Sequence, residues 1–185
     1  MGLYDFELVD FRGNSFTLDK FRNKVIIIVN VASKCGLSET SYKRMHTILK
    51  EHGDKVILLL CPCKQFLNQE FATMDETVKF IQKHLDINNY KNVSNLTVNS
   101  DETRSNGPVL PKNVILTEAL HVKGSHIDPL FDYLTNEKGG FITKSIKWNF
   151  SSFLIGKGGK VVKRYSPMDF PHSHDKNLLE EINKN

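Results

Sequence analysis

The 185-residue sequence contains no apolar run near the ~20 residues needed to cross a bilayer, which excludes a membrane-spanning helix. Its start, Met1-Gly2-Leu3-Tyr4-Asp5-Phe6-Glu7, has neither the basic region nor the apolar stretch of a secretory signal. Phe6 stands where a myristoylation signal places Ser or Thr, so Gly2 is a poor acceptor for a lipid. The expectation is a cytoplasmic protein. Cysteine is scarce, three in all, an odd number that builds no disulfide framework and suits a reducing compartment. Runs of basic residues are absent too: 25 Lys and Arg against 21 Asp and Glu leave a formal charge of +4. These cations are scattered, which argues against nucleic acid as a partner. No internal repeat is evident.

What is present is the composition of a globular protein, with 39% hydrophobic and 25% charged residues. Residues 1–185 fit one domain with a sizeable core. Strand and helix patterns alternate. Glu7 to Asp10 and Ser15 to Leu18 flank Phe11-Arg12-Gly13-Asn14 as a hairpin, and Val25 to Val31 and Val56 to Cys61 read as buried strands. Between them Tyr42, Met45, Ile48 and Leu49 recur at helical spacing until His52-Gly53. Thr73 caps a helix carrying Val78, Ile81 and Leu85 on one face. Val114 to Val122 reads as extended and Asp128 to Leu134 as helical. Phe153 to Val162 reads as a hairpin around a glycine turn, and Leu178 to Ile182 as part of a closing helix. The fold class is α/β, a central mixed sheet flanked by helices with an extra N-terminal hairpin. The stretch 88–111, rich in Asn and Ser, lacks apolar periodicity and reads as a polar surface insertion. Its Asn-x-Ser/Thr matches, like Asn149-Phe150-Ser151, are read as unused glycosylation sequences.

Cys35 is the chemically informative residue. It follows the strand Val25-Ile26-Ile27-Ile28-Val29 through Asn30-Val31-Ala32-Ser33-Lys34 and precedes a segment that turns into a helix. Near a helix N-terminus, unpaired backbone N–H groups and the positive end of the dipole favour thiolate over thiol. The alternative for a lone cysteine is a small hydrophobe in the core. Two further segments weigh against it: Cys61-Pro62-Cys63-Lys64-Gln65-Phe66-Leu67-Asn68-Gln69-Glu70 and Lys147-Trp148-Asn149-Phe150-Ser151. Gln69 and Asn149 offer neutral amide donors and Trp148 an indole N–H, all suited to stabilising a thiolate or a developing oxyanion.

Together with Asn30-Val31-Ala32-Ser33-Lys34-Cys35-Gly36, these segments resemble the three signature blocks of the glutathione peroxidase family, in the same order and at similar spacing. The resemblance covers nearly the whole chain except the insertion. It implies a thioredoxin-like fold and a catalytic tetrad of Cys35, Gln69, Trp148 and Asn149. It also implies a hydroperoxide substrate, reduced through a Cys35 sulfenic acid, with no cofactor and with glutathione or a thioredoxin-type protein as reductant. A peroxide sensor that passes oxidation to a partner protein is the alternative. The short stretch between Leu134 and Trp148 leaves little room for the interface loop of tetrameric members, which implies a monomer with an open site. Such a site would accept lipid hydroperoxides, with transient contact to a membrane surface aided by Lys34, Lys64, Lys144 and Lys147.

Several residues depart from the family pattern. Ser38 rules out a Cys-x-x-Cys pair, and no cysteine lies around Ile81, where many members carry a resolving one. Cys61 and Cys63, two apart on a strand, point to one face. Core packing is the expected role for both, with a resolving role left open.

Overall fold

The computed structural model describes residues 2–85, 110–140 and 143–184. Of the expected polar insertion at 88–111, only Leu110 and Pro111 lie among the described residues, so its surface placement falls outside them. In chain order the elements are strands Glu7–Val9 (β1), Ser15–Thr17 (β2) and Val25–Val31 (β3), helix Ser38–His52 (α1), strand Val56–Pro62 (β4) and helix Met74–His84 (α2). There follow strand Val114–Leu116 (β5), helix Pro129–Glu137 (α3), strands Ser152–Ile155 (β6) and Val161–Tyr165 (β7), and helix Lys176–Asn183 (α4).

The β1–β2 hairpin forms its own two-stranded sheet and joins the β5 edge of a five-stranded mixed sheet ordered β5-β4-β3-β6-β7, with Phe11 N donating to Leu116 O and Glu118 N to Val9 O, both at 3.0 Å. Strand β3 pairs in parallel with β4, from Val25↔Val56 to Val31↔Pro62, and antiparallel with β6, from Ile26↔Ile155 to Val29↔Ser152. Both central strands are buried along their whole length because both sheet faces are covered, which is why they read as unbroken apolar runs. Side chains alternate between the faces. Val25, Ile27, Val29, Leu58 and Leu60 pack with Tyr42, Met45 and Ile48 of α1, Val78 and Ile81 of α2, and Leu178 and Ile182 of α4. On the other face Ile26, Ile28, Ile57, Leu59 and Cys61 pack with Leu130, Phe131 and Leu134 of α3 and with Leu3, Phe6 and Leu8 beside the hairpin. The layers and strand order are those of a thioredoxin-like fold with an added N-terminal hairpin.

The extended stretch expected over 114–122 is cut to three paired residues. Leu58 N donates to Asn113 O across the β4–β5 ladder, and Thr117 N reaches Leu60 O. The next β4 donor on that edge would be residue 62, and Pro62 has no N–H to give. The cap expected at Thr73 is present. Thr73 Oγ1 accepts from Glu76 N at 3.4 Å while Glu76 Oε2 accepts from Thr73 N at 3.3 Å, a reciprocal capping box on α2. Asp128 caps α3 through Leu130 N at 2.9 Å, with Pro129 in the first turn.

Asp175 caps α4 and ties it to β7. Burial acts to raise its carboxyl. A hydrogen bond from Tyr165 Oη at 2.7 Å, another from Leu178 N at 3.1 Å and Lys163 Nζ at 3.9 Å outweigh that and hold it below the ordinary range. A carboxyl depressed in the folded state stabilises the fold above its unfolded pKa, and that contribution is lost as pH falls through the folded value. Thermal melts from neutral pH down to about pH 3 therefore should show Asp175→Asn less stable than the parent at neutral pH, with the gap closing in acid. A gap that stays constant with pH contradicts this role for the charge.

Candidate active site

Three loops meet at the C-terminal end of β3. The first leads from β3 to α1 and places Cys35 between two turns: Cys35 N donates to Ala32 O at 3.2 Å, and Ser38 N donates to Cys35 O at 2.9 Å. Cys35 is 3% exposed and lies three residues before α1, within the core layer that contains Tyr42 and Phe150. The second loop leaves β4 and brings Gln69 alongside, where Gln69 O accepts from Lys34 N at 2.7 Å. The third precedes β6 and is fastened to β3 by one side chain and its backbone. Asn30 Nδ2 donates to Trp148 O at 3.2 Å, Asn30 O accepts from Phe150 N at 2.7 Å, and Asn30 N donates to Ser151 O at 3.3 Å. Asn30 is fully buried, so these bonds are made away from competing water.

The second and third loops are joined directly. Asn149 Nδ2 donates to Gln69 Oε1 at 3.1 Å. Half-buried Trp148 packs its ring 5.6 Å from that of Phe66 and bridges the two core layers. Both loops hold non-glycine residues in the left-handed region: Leu67 and Asn68, at φ of 54° and 52°, just before Gln69, and Phe150, at 64°, just after Asn149. Each such residue costs about 1–3 kcal/mol and persists only where its surroundings over-determine it. Here the Asn30–Phe150 and Gln69–Phe66 backbone bonds supply that constraint.

The structure thus gathers all four sequence-predicted residues, but not in the arrangement expected. Among the described residues no side-chain donor lies within hydrogen-bond reach of the Cys35 sulfur. The Asn149 amide is instead engaged by Gln69, and among the described residues the Trp148 indole N–H has no hydrogen-bond acceptor. Apo active sites often hold such donors too far away, and they tighten only around the reacting group. Gln69 Oε1 accepts from Asn149, and Nε2 is the donor that its amide offers.

Cys61 and Cys63 share a face, as their spacing predicts, and that face is the opposite one. Both are fully buried in the layer containing Phe66, Phe131 and Ile28, whereas Cys35 belongs to the layer on the α1 side. Burial pushes both thiols up, Cys61 the further, and Cys63 Sγ points to Gln65 Oε1 at 3.8 Å.

Of the four lysines singled out in the sequence, Lys34 and Lys64 border the Gln69 loop. Lys34 Nζ lies 4.8 Å from the Phe71 ring centre, and Lys64 Nζ donates to Ala72 O at 3.3 Å. Lys144 turns to Asn136, and Lys147 is exposed beside Trp148. Two residues at the site escaped the sequence reading. Lys123 Nζ sits 4.3 Å from the centre of the same Phe66 ring that supports Trp148. Glu70 is a buried carboxylate adjoining Gln69. Neither carries a local signal, since Lys123 reaches Phe66 across 57 residues of sequence and a lone Glu normally marks solvent. Among the described residues no group of three His, Cys, Asp or Glu side chains is placed to hold a metal ion.

Comparison with known proteins gives the family. The family model described as Glutathione peroxidase matches residues 3–107. A Nicotiana tabacum protein named probable phospholipid hydroperoxide glutathione peroxidase is 36% identical, over 95% of this chain and 90% of its own length. Glutathione peroxidase-like peroxiredoxin 2 of Saccharomyces cerevisiae is 33% identical, over 98% of this chain and 97% of its own. The apo crystal structure of Trgpx, 27% identical, superposes with a TM-score of 0.68 across 100% of this chain and 97% of that one. A family match over more than half the sequence, and relatives above 30% identity along nearly all of it, lead to one conclusion: the chain belongs to the glutathione peroxidase family of hydroperoxide-reducing enzymes.

Proposed function

We propose that Cys35 is the residue that reduces the hydroperoxide, with Gln69, Trp148 and Asn149 as its donors. The observation that supports this best is the convergence of three separate loops on the end of β3, where Lys34 N–Gln69 O and Asn149 Nδ2–Gln69 Oε1 join all three. The Cys35 thiolate attacks the terminal oxygen of ROOH. The S–O bond forms, the O–O bond breaks, and RO⁻ leaves as alcohol (water when R is H) after protonation, with Cys35 now a sulfenic acid. The donors stabilise charge on the departing oxygen. One external thiol then condenses with the sulfenic acid, releasing water, and a second displaces it as a disulfide and returns Cys35 to the thiol. This cycle draws its electrons from thiol co-substrate and calls on no bound cofactor.

Glutathione is the reductant favoured here. Cys61 and Cys63 belong to the layer opposite Cys35, which supports direct attack on the sulfenic acid by an external thiol. The cationic border of Lys34, Lys64 and Lys123 suits a tripeptide with two carboxylates. A thioredoxin-type protein is the competing reductant, consistent with the peroxiredoxin named among the relatives. The same isolation of the sulfenic acid favours a second reading, a sensor that hands its oxidation to a partner protein. Sustained peroxide consumption with excess glutathione separates the enzyme from the sensor.

The proposed substrates include lipid hydroperoxides, for which the relative from Nicotiana tabacum is named, and the proposed enzyme is a cytoplasmic monomer that touches membranes transiently. Leu67, 76% exposed at the tip of the Gln69 loop and next to the lysine border, supports such contact. Among the described residues no helix is long and apolar enough to cross a membrane.

Cys35→Ser is expected to abolish peroxide turnover with the fold intact, because a hydroxyl does not ionise at neutral pH; wild-type turnover in this variant would refute the assignment. Replacing Gln69, Trp148 or Asn149 by a residue without a donor should slow Cys35 oxidation roughly 10²–10³-fold, and unchanged rates in all three contradict the donor role. Peroxide-treated protein without added thiol should accumulate a sulfenic acid at Cys35 that a carbon nucleophile traps. Mass spectrometry finding mainly a Cys35–Cys61 or Cys35–Cys63 disulfide would reverse that reading. Light scattering should give a monomer and assays should show turnover of phospholipid hydroperoxide; a tetramer, or activity on hydrogen peroxide alone, counts against the open site.

A further inference from the structure

Glu70 is 3% exposed and, among the described residues, has no Lys, Arg or His within ion-pair distance. A buried carboxylate without a cation is costly unless hydrogen bonds replace its lost water. Three do so. Ser33 N donates to Oε2 at 3.2 Å, Phe71 N to Oε1 at 2.8 Å, and Thr77 Oγ1 to Oε1 at 3.2 Å. The donors come from three places: the loop that ends in Cys35, the loop that carries Gln69, and α2. Tyr42, fully buried in the same layer as Cys35, has its hydroxyl pushed well above the ordinary range first by burial and then by the Glu70 charge.

We propose that Glu70 is a positioning residue, a carboxylate clamp that fixes the Cys35 loop against the Gln69 loop and α2 and thereby sets how fast peroxide oxidises Cys35. This rests on the peroxidase reading of Cys35. With Ser33 N and Lys34 N held by Glu70 Oε2 and Gln69 O, two successive peptide groups just before Cys35 are pinned to two successive residues of the donor loop. Two acceptor oxygens are required because Ser33 N and Phe71 N donate to different ones, while the Thr77 hydroxyl, which also reaches Thr73 O at 3.3 Å, has a single proton to give. The amide of a Gln would set an NH₂ group against Ser33 N–H in one orientation and against Phe71 N–H in the other. Either way one buried N–H loses its acceptor and the two loops shift apart, and a displacement of about 1 Å at a reacting centre lowers rates by up to about 10²-fold.

The test is the second-order rate of Cys35 oxidation by hydrogen peroxide in the full chain, read by quenched-flow trapping and mass spectrometry, with thermal melting in parallel. Glu70→Gln should slow oxidation about 10- to 100-fold. Thr77→Val removes one donor to Glu70 from outside both loops, and should slow it less, with Thr77→Ser restoring the parent rate. The double variant should be no slower than Glu70→Gln, since both changes act through one clamp. If Glu70→Gln does not fold, the Thr77→Val and Thr77→Ser pair decides. Parent oxidation rates in the folded variants, with lowered melting temperatures, would make Glu70 a stability residue and overturn the clamp. A parent protein whose Cys35 resists peroxide overturns the peroxidase reading and the clamp together.

Discussion

The site depends on how β3 is paired. Seven consecutive residues of β3 run in register with β4, and four of them pair on the other edge with β6, so the exits of β3 and β4 and the entry to β6 lie at one end of the sheet. That pairing delivers Cys35, Gln69 and Asn149 to one place from positions up to 114 residues apart. Each fully buried Val, Leu or Ile in the paired strands is worth about 1.5–3 kcal/mol relative to exposure, so the register is fixed far more firmly than any bond within the site. A slip of one residue would turn the β3 side chains to the opposite faces and carry the Cys35 loop with them. The stability of the two-faced core therefore supports the left-handed backbone at Leu67, Asn68 and Phe150, which local preference alone would not sustain.

The same sheet separates the thiols. Cys35 stands on the α1 side, whereas Cys61 and Cys63 are sealed into the α3 side with their protons held by burial. The proposed oxidation of Cys35 therefore falls on the layer opposite Cys61 and Cys63. Around Cys35 the protein supplies backbone order rather than charge. Asn30 secures the Trp148-Asn149 loop and Gln69 O receives the peptide before Cys35, so the donor groups are placed by hydrogen bonds to the main chain.

Much of this is legible in the sequence. Strands β3 and β4 show as apolar runs because both faces are buried, α1 shows through Tyr42, Met45, Ile48 and Leu49, and α2 through its Thr73 cap. The motif blocks locate the four candidate site residues. Features set by distant partners do not show. The early end of β5 follows from Pro62 in the neighbouring strand, and the placement of Cys61 and Cys63 away from Cys35 follows from the turn that carries Cys35 past the end of β3. Alternation reveals that two residues share a face but not which layer covers it. Glu70 and Lys123 take their roles from Ser33, Thr77 and Phe66, contacts that no local pattern encodes.

Trp148 is the only tryptophan in the chain, so its fluorescence reports on the site without labelling. The most direct test of the account is an anaerobic titration of the reduced protein with hydrogen peroxide, following that emission. The account predicts a change that is complete at one equivalent of peroxide, reverses on adding glutathione and is absent in Cys35→Ser. The same change in Cys35→Ser, or none in the parent protein while Cys35 is oxidised, would contradict the placement of sulfur and indole in one site.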